Sequence, residues 1–251
     1  MADNDRNFDD VANHFANKIY GGLKGTLRLA VLWRDISEIL PQLSSNQVLD
    51  IGAGLGQISL RLAEKGYDCT LTDISKVMLD KAKASVSPSS PVQFLHAGYQ
   101  DLPDLLVGNY DLILCHAVLE WIEYPDKLFA VIDKLLADKG VLSLCFYNPA
   151  APIYRNLLLG NFYHVNHPKP ADNHSLTPSY PKDYDTVMHY LQDYKILTQS
   201  GIRVFYDYAI KKQGGLLVPD DVIALELQYS QQMPYWRMGR YLHIIAQKRP
   251  K

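Results

Sequence analysis

The hydrophobic positions of the chain follow two different periods, and the changes between them divide it into elements. Short apolar runs alternate with stretches in which apolar residues recur every three or four positions. Runs of the first kind are typical of buried parallel strands, and stretches of the second kind are typical of amphipathic helices. Their alternation predicts a doubly wound α/β sheet, with strands at 47–51, 67–72, 92–95, 110–115 and 141–146.

Two further helices are predicted ahead of the first strand, at 7–19 and 25–40, where they could cover the ligand edge of the sheet. After the fifth strand, residues 147–183 hold six prolines and no long apolar period, which predicts an ordered insertion or lid. We then predict a helix at 185–194, a strand at 201–208, a helix at 219–231 and a strand at 240–247.

The late strands bring the predicted sheet to seven strands, mostly parallel, with the N-terminal helices and the lid-like insertion added to it. The whole chain is then one domain. Its predicted parts are a helical cap at 1–46, a core at 47–146, an insertion at 147–184 and closing elements at 185–251.

A glycine-rich stretch follows the first predicted strand. Gly52, Gly54 and Gly56 stand at alternate positions, and a helix begins directly after them. Such a turn lets a ligand approach the backbone and the free N–H groups of the helix. A dinucleotide fingerprint would need a third glycine at Gln57, and no Lys-Ser or Lys-Thr of a phosphate-binding loop follows. The alternative is a tight turn with no ligand.

Asp73 ends the second strand, where a carboxylate suits the two hydroxyls of a ribose. The pattern D-x-G-x-G-x-G at 50–56, followed by this acidic residue, resembles the class I S-adenosylmethionine-dependent methyltransferases. The resemblance implies a Rossmann-like fold and S-adenosyl-L-methionine as the cofactor.

Composition and charge exclude several other classes of protein. The chain is 47% hydrophobic with a net charge of −2, and it has no apolar run long enough to span a bilayer and no signal peptide. Cys69, Cys115 and Cys145 lie in apolar runs and predict buried thiols in the cytoplasm. We expect no metal site. From Lys195 to the end, the sequence contains nine Lys and Arg residues but only four Asp and Glu residues. This excess of positive charge indicates either a polyanion-binding face or an ordinary surface.

Several segments outside the glycine turn resemble one family, the bacterial tRNA 5-carboxymethoxyuridine methyltransferases. They are 7–36 (NFDDVANHFANKIYGGLKGTLRLAVLWRDI), HAVLEW at 116–121, SLCFYN at 143–148, GNF at 160–162, SYP at 179–181, GIRVFYDY at 201–208 and GRYLHI at 239–244. The resemblance implies methylation of the carboxylate of a modified wobble uridine in the anticodon loop of tRNA. A methyltransferase acting on a small carboxylic acid or another metabolite is the alternative. The oligomeric state stays open.

The same resemblance implies a set of cofactor-binding residues: Arg28, Gly52, Ala53, Asp73, Tyr99, Gln100 and His116. Ala53 departs from related sequences that carry glycine there. No catalytic residue is expected, because a carboxylate is already ionised at pH 7 and needs no general base. Cationic donors should orient that carboxylate, and aromatic side chains can stack on an unpaired base. The substrate-binding candidates are Arg203, Arg240 and Tyr147, with Lys211, Lys212, Tyr154, Phe162 and Tyr163 as further possibilities.

Overall fold

The computed structural model describes residues 21–167, 177–209 and 218–249. The helix predicted at 7–19 lies outside these residues, as do Lys211 and Lys212. Within the described ranges, no helix is long and apolar enough to cross a membrane. The same ranges contain no cluster of three His, Cys, Asp or Glu side chains that could hold a metal ion.

A single seven-stranded sheet forms the centre of the described structure, as predicted. Its strands are β1 (Gln47–Ile51), β2 (Asp68–Asp73), β3 (Val92–His96), β4 (Tyr110–His116), β5 (Leu136–Tyr147), β6 (Tyr194–Ile202) and β7 (Tyr241–Lys248). Their spatial order is β3-β2-β1-β4-β5-β7-β6. Only β7 runs antiparallel to its neighbours. The strand order reverses between β1 and β4, so ligands are expected at the carboxyl ends of these two strands.

Helices pack on both faces of the sheet. They are α1 (Gly22–Ile39), α2 (Gln57–Ala63), α3 (Lys76–Ala84), α4 (Leu102–Leu105), α5 (Pro125–Leu135), α6 (Ala150–Leu158), α7 (Phe162–Asn166), α8 (Tyr184–Tyr190) and α9 (Pro219–Tyr229). Ser75 caps α3, since its hydroxyl accepts the N–H of Met78 at 3.2 Å. Pro125 stands in the first turn of α5, where its missing N–H costs no hydrogen bond.

The hydrophobic core lies on both faces of the sheet, because successive side chains of each strand point to opposite faces. Val48 of β1 packs with buried residues of α1 and α2, whereas its neighbour Leu49 packs with buried residues of α5. The three cysteines are free and buried within this core, as predicted. Burial raises the pKa of the Cys115 thiol well above its ordinary range, so this thiol stays protonated and is a poor nucleophile.

The sixth strand does not lie where the sequence predicts it. The predicted strand at 201–208 is wrong, because β6 spans Tyr194–Ile202 and the preceding helix ends at Tyr190. Arg203 has a φ of +61°, which turns the chain out of the sheet directly after β6. The Glu226 carboxylate then accepts the backbone N–H groups of residues 204–206 at 2.8, 3.3 and 2.9 Å. These N–H groups are therefore not available to a β-ladder.

The insertion also contains structure that the sequence does not predict. Helices α6 and α7 lie in its described part, although we predict no long apolar period there. Pro152 is the third residue of α6, a position where the backbone N–H would have no partner within the helix. The proline therefore marks the start of a helix and does not break one. The division of the chain into cap, core, insertion and closing parts stays a prediction.

Candidate active site

The glycine turn between β1 and α2 requires glycine because of both its conformation and its neighbours. Gly52, Gly54 and Gly56 all have positive φ angles, of 67°, 56° and 64°. A methyl group added at Gly52 would lie 2.4 Å from Cγ2 of Val118, which is far closer than van der Waals contact. Only glycine therefore fits at this position, and Gly52 lines two cavities at the edge where β1 and β4 end, so a ligand can reach its backbone there.

Ala53 is compatible with this turn although it is not a glycine. The non-glycine residues with positive φ in the described ranges are Ala117, Lys139 and Arg203, so Ala53 carries no strain of this kind. Its N–H donates to the carbonyl of Thr72 at 2.9 Å, and its carbonyl accepts the N–H of Gly56 at 2.8 Å. The substitution therefore leaves the turn intact.

Asp73 supports the turn from the end of the neighbouring strand β2. Its Oδ2 accepts the N–H of Gly54 at 2.8 Å, and its Oδ1 accepts the N–H of Ser75 at 2.7 Å. An ionised carboxylate has about four acceptor positions, and Asp73 also lines a cavity at the edge of the sheet. Asp73 can therefore hold the turn and bind a pair of ligand hydroxyls at the same time.

A largely apolar cavity lies beside Asp73 at the carboxyl edge of the sheet. Its walls include Ile74, Met78, Tyr99 and Trp121, and its floor includes Gly52. The depth and the apolar walls suit a flat ring such as adenine, with the ribose turned toward Asp73. Tyr99 thus lies where the sequence places it. Gln100 is exposed and does not line this cavity, so its side chain can contact a ligand only at the rim.

A second, more polar cavity adjoins the first and shares Gly52 with it. Arg28, Asp50, Gln57 and His116 line this cavity together with Ala53 and the apolar residues Leu29, Leu32 and Ile58. Arg28 is only 5% exposed, and its guanidinium carbon lies 4.3 Å from the ring centre of Tyr241. A buried guanidinium that stacks on an aromatic ring is well placed to bind a ligand carboxylate.

Asp50 is a site residue to which the sequence assigned no role. It is buried at the end of β1, where it accepts the hydroxyl of Ser59 at 2.7 Å. Burial raises the pKa of its carboxyl to about 7, the hydrogen bond from Ser59 acts against this, and the charge of Asp73 adds to it. A ligand cation in the same cavity would stabilise the ionised form. The sequence does contain a signal for this role, because Asp50 is the aspartate that opens the D-x-G-x-G-x-G pattern.

A group of arginine and tyrosine side chains continues from Arg28 toward the end of β7. Arg203 lies 5.7 Å from the ring centre of Tyr241, which Arg28 also contacts. Arg240 lies 4.9 Å from the ring centre of Tyr147, and the two tyrosine rings are 5.8 Å apart, edge to face. The structure thus joins Arg203, Arg240 and Tyr147 to a cofactor candidate. We call Arg28, Arg203, Arg240, Tyr147 and Tyr241 the arginine–tyrosine cluster.

Two acidic residues, Asp207 and Glu120, influence the charges of this cluster. Burial lowers the pKa of Arg203, the charge of Asp207 at 3.4 Å opposes this, and the charges of Arg28 and Arg240 add to it. Burial raises the pKa of Glu120 to about 7 despite the charge of Arg28, and Glu120 Oε2 has no hydrogen-bond partner among the described residues. Three guanidinium groups thus lie around the same two tyrosine rings, together with the carboxyl groups of Asp207 and Glu120.

Two solved structures show the same fold as this chain. The magnesium protoporphyrin IX methyltransferase of Synechocystis PCC 6803 with bound SAH has a TM-score of 0.61 and 17% identity, covering 96% of each chain. An S-adenosylmethionine-dependent methyltransferase from Archaeoglobus fulgidus has a TM-score of 0.60 and 18% identity, covering 95% of this chain and all of that one. A family model described as "Methyltransferase domain" matches residues 49–144. The fold and the site define a class I S-adenosylmethionine-dependent methyltransferase.

Similarity along the full sequence narrows the class to one family. Two proteins, from Escherichia coli O157:H7 and strain K12, carry the name tRNA 5-carboxymethoxyuridine methyltransferase. Each is 38% identical to this chain over 252 residues, covering 97% of both sequences. The chain therefore belongs to the tRNA 5-carboxymethoxyuridine methyltransferase family.

Proposed function

We propose that this enzyme methylates the carboxylate of 5-carboxymethoxyuridine at the wobble position of tRNA, forming 5-methoxycarbonylmethoxyuridine. The observation that carries the proposal is the 38% identity over 97% of both chains to enzymes of that name. The match includes the C-terminal strands and the insertion, where substrate specificity resides in enzymes built on a shared cofactor fold. A tRNA substrate also places the enzyme in the cytoplasm.

The two adjoining cavities fit the two ends of S-adenosyl-L-methionine. We assign the adenosine part to the apolar cavity, with Tyr99 along its wall and Asp73 at the ribose hydroxyls. The methionine part lies over Gly52 and Ala53, with its carboxylate on Arg28 and its ammonium near Asp50 and His116. When bound, the cofactor supplies an electrophilic methyl group on a sulfonium. Gln100 contributes at the rim, through its amide or its backbone.

We assign the substrate carboxylate to the arginine–tyrosine cluster. Arg203 and Arg240 bring guanidinium groups that can each form two parallel hydrogen bonds to a carboxylate. Arg28 and Arg203 both contact the ring of Tyr241, whereas Arg240 contacts the ring of Tyr147, and we assign Arg28 to the cofactor. Because Tyr241 contacts both Arg28 and Arg203, a carboxylate held by the cluster lies close to the cofactor cavity.

The cluster can perform its part of the reaction without a catalytic base. A carboxylate with an ordinary pKa near 4 is ionised at neutral pH and is already a nucleophile. The protein must hold one carboxylate oxygen in line with the methyl carbon, roughly 3–3.5 Å away, and keep water out. Tyr147 and Arg28 are buried and Tyr241 is partly buried, so these side chains provide a water-poor surface for this step.

Exposed aromatic side chains on the insertion supply a surface for the unpaired anticodon bases. Tyr154, Phe162 and Tyr163 are 42%, 60% and 71% exposed on α6 and α7. Tyr154 also contacts Tyr208, whose hydroxyl donates to the carbonyl of Met238 next to the cluster. The aromatic surface thus adjoins the proposed carboxylate site. Stacking of bases on such rings is sequence-tolerant and contributes about 1–3 kcal/mol per base.

The alternative of a small carboxylic acid as substrate has weaker support. The trans-aconitate 2-methyltransferase of Deinococcus radiodurans is 31% identical, but over 113 residues that cover 44% of this chain. The malonyl-[acyl-carrier protein] O-methyltransferase of Geobacter sulfurreducens is 28% identical over 40% of the chain. These partial matches are about as long as the methyltransferase domain itself, and more than half of this chain lies outside them.

Neutralising the cluster tests the proposed substrate site. We expect Arg240→Gln to lower kcat/KM for tRNA at least tenfold, about 1.4 kcal/mol, because a charged donor to the substrate carboxylate is lost. Cofactor affinity, measured by calorimetric titration, should not change, since Arg240 does not line the cofactor cavities. The matched control is Lys83→Gln, which removes an exposed charge from the last turn of α3. Equal activity of the two variants would exclude Arg240 from the substrate site.

A further inference from the structure

A continuous chain of hydrogen bonds leads from the interior of the protein to the cofactor cavity. His243 Nδ1 lies 2.8 Å from Asp35 Oδ2, and His243 Nε2 lies 2.8 Å from Ser143 Oγ. The same Ser143 Oγ lies 2.8 Å from Nε2 of His116, which lines the polar cavity. Asp35, Ser143 and His243 are fully buried, on α1, β5 and β7. Polar groups at such depth are uncommon unless each has partners.

The charge of Asp35 fixes the first hydrogen bond in this chain. Burial alone would raise the pKa of Asp35, but the hydrogen bond from His243 and the charge of Arg34 hold it below its ordinary value. The ionised carboxylate only accepts, so His243 Nδ1 carries a proton and donates it. Arg34 already donates to Asp35 Oδ1 from Nε at 2.8 Å and from Nη2 at 2.6 Å. The guanidinium of Arg34 therefore already balances the charge of this carboxylate, and no second cation is required.

The remaining hydrogen bonds follow from the single proton of a hydroxyl group. A neutral His243 has an unprotonated Nε2, which accepts the Ser143 hydroxyl. Ser143 then has no proton left for His116, so its oxygen accepts a proton from His116 Nε2. Burial lowers the pKa of His116 well below its ordinary value, and the charge of Arg28 acts in the same direction, so His116 is neutral. Its Nδ1 is left with a lone pair.

We propose that the Asp35–His243–Ser143 chain is a positioning device, which holds His116 with Nε2 protonated and Nδ1 as an acceptor for the cofactor ammonium. Among the described residues, His116 Nδ1 has no hydrogen-bond partner, and Nε2 is turned away to Ser143. The polar cavity then offers a donor, Arg28, to the carboxylate of the methionine part and an acceptor, His116, to its ammonium. The reversed tautomer would present a second donor, His116 Nδ1, beside Arg28, and would remove this acceptor from the cavity.

The long-range proton–nitrogen NMR spectrum of the imidazole rings tests the proposal directly, because it distinguishes protonated from unprotonated ring nitrogens. In the wild-type protein without tRNA, we expect His116 to show a protonated Nε2 and an unprotonated Nδ1. In Ser143→Ala we expect a mixture of both tautomers. The control is Ser85→Ala, which removes a hydroxyl bonded to the carbonyl of Ala82 at 2.7 Å, outside the chain to His116. A protonated Nδ1 in the wild-type protein would overturn the proposal, even if Ser143→Ala fails to fold.

Comparing the affinities of two ligands distinguishes a positioning role of Ser143 from a general effect on protein stability. S-adenosylhomocysteine has the amino-acid end, whereas 5′-methylthioadenosine lacks it. We expect Ser143→Ala to weaken S-adenosylhomocysteine about threefold to tenfold, the effect of one hydrogen bond, and to leave 5′-methylthioadenosine unchanged. Equal weakening of both ligands would show that Ser143 only supports the fold. Neither measurement uses tRNA, so both are independent of the proposed substrate.

Discussion

Asp50 provides a test in which stability and cofactor binding should change in opposite directions. Its pKa is raised from 3.8 to about 7, roughly three units, and each unit corresponds to about 1.4 kcal/mol between folded and unfolded states. The folded protein holds the Asp50 proton more tightly than the unfolded chain does. The protonated carboxyl therefore makes its full contribution to the free energy of unfolding below about pH 4. This contribution is lost as the pH rises through 7. At pH 8 the ionised Asp50 therefore costs the fold on the order of 4 kcal/mol.

Asp50→Asn removes this charge and keeps an oxygen that can accept the Ser59 hydroxyl. In urea denaturation, the stability of the variant relative to the wild type should grow by about 2 kcal/mol between pH 5.5 and pH 7.5. Glu120 titrates in the same range, but it does so in both proteins and cancels in the difference. The control is Asp80→Asn, an exposed carboxylate paired with Lys76, for which we expect a change below about 0.5 kcal/mol at each pH.

Cofactor affinity should show the opposite effect in the same pair of proteins. In the wild type, we expect the affinity for S-adenosylmethionine to rise on the order of tenfold between pH 5.5 and pH 7, as Asp50 ionises and attracts the ammonium. An α-amino group loses its proton only near pH 8, above this window. In Asp50→Asn, affinity should be lower and nearly independent of pH. A stability difference that does not vary with pH, or a flat affinity in the wild type, would refute this role.

Two substitutions at the turn have separate expected outcomes. Gly52→Ala should destabilise the protein by at least about 1–3 kcal/mol and abolish cofactor binding, because it combines a φ of +67° with a contact of 2.4 Å to Val118. Gly66→Ala, at a φ of +90° with no atom within 4 Å, is the control and should lower the melting temperature alone. Asp73→Ala should weaken S-adenosylmethionine more than tenfold in calorimetric titration of the folded variant, about 1.4 kcal/mol or more. Asp68→Ala, at the other end of β2, should bind normally, and unchanged affinity in Asp73→Ala would remove Asp73 from the site.

The parts of the fold that the sequence predicted well depend on local signals. The first strand has the predicted bounds because an apolar run, a glycine turn and a helix follow one another within twenty residues. The cap at Ser75 is equally local. The sixth strand was misplaced because its end depends on Glu226, which lies more than twenty residues further along the chain. No local pattern shows that a distant carboxylate will bind the N–H groups of residues 204–206.

The candidate site also contains residues that a local motif predicts and residues that only the tertiary fold brings together. Gly52 and Asp73 belong to a short motif, and the structure brings them to one edge of the sheet. Arg28, Arg203 and Arg240 lie far apart in sequence, and only the packing of α1 against β7 brings them around shared tyrosine rings. The chain of bonds from Asp35 to His116 likewise crosses four elements. Composition shows that the chain contains these arginines, but it does not show that they lie close together in the fold.

The central claim is that the enzyme transfers a methyl group to a carboxylate on tRNA. Its most direct test uses the purified protein, S-adenosylmethionine labelled in the methyl group, and tRNA from a strain that lacks the modification. The label should appear in tRNA and be released by mild alkali, because methyl esters hydrolyse there whereas N-methyl and C-methyl groups do not. Label that is stable to base, or that enters tRNA without a wobble carboxylate equally well, would contradict the assignment.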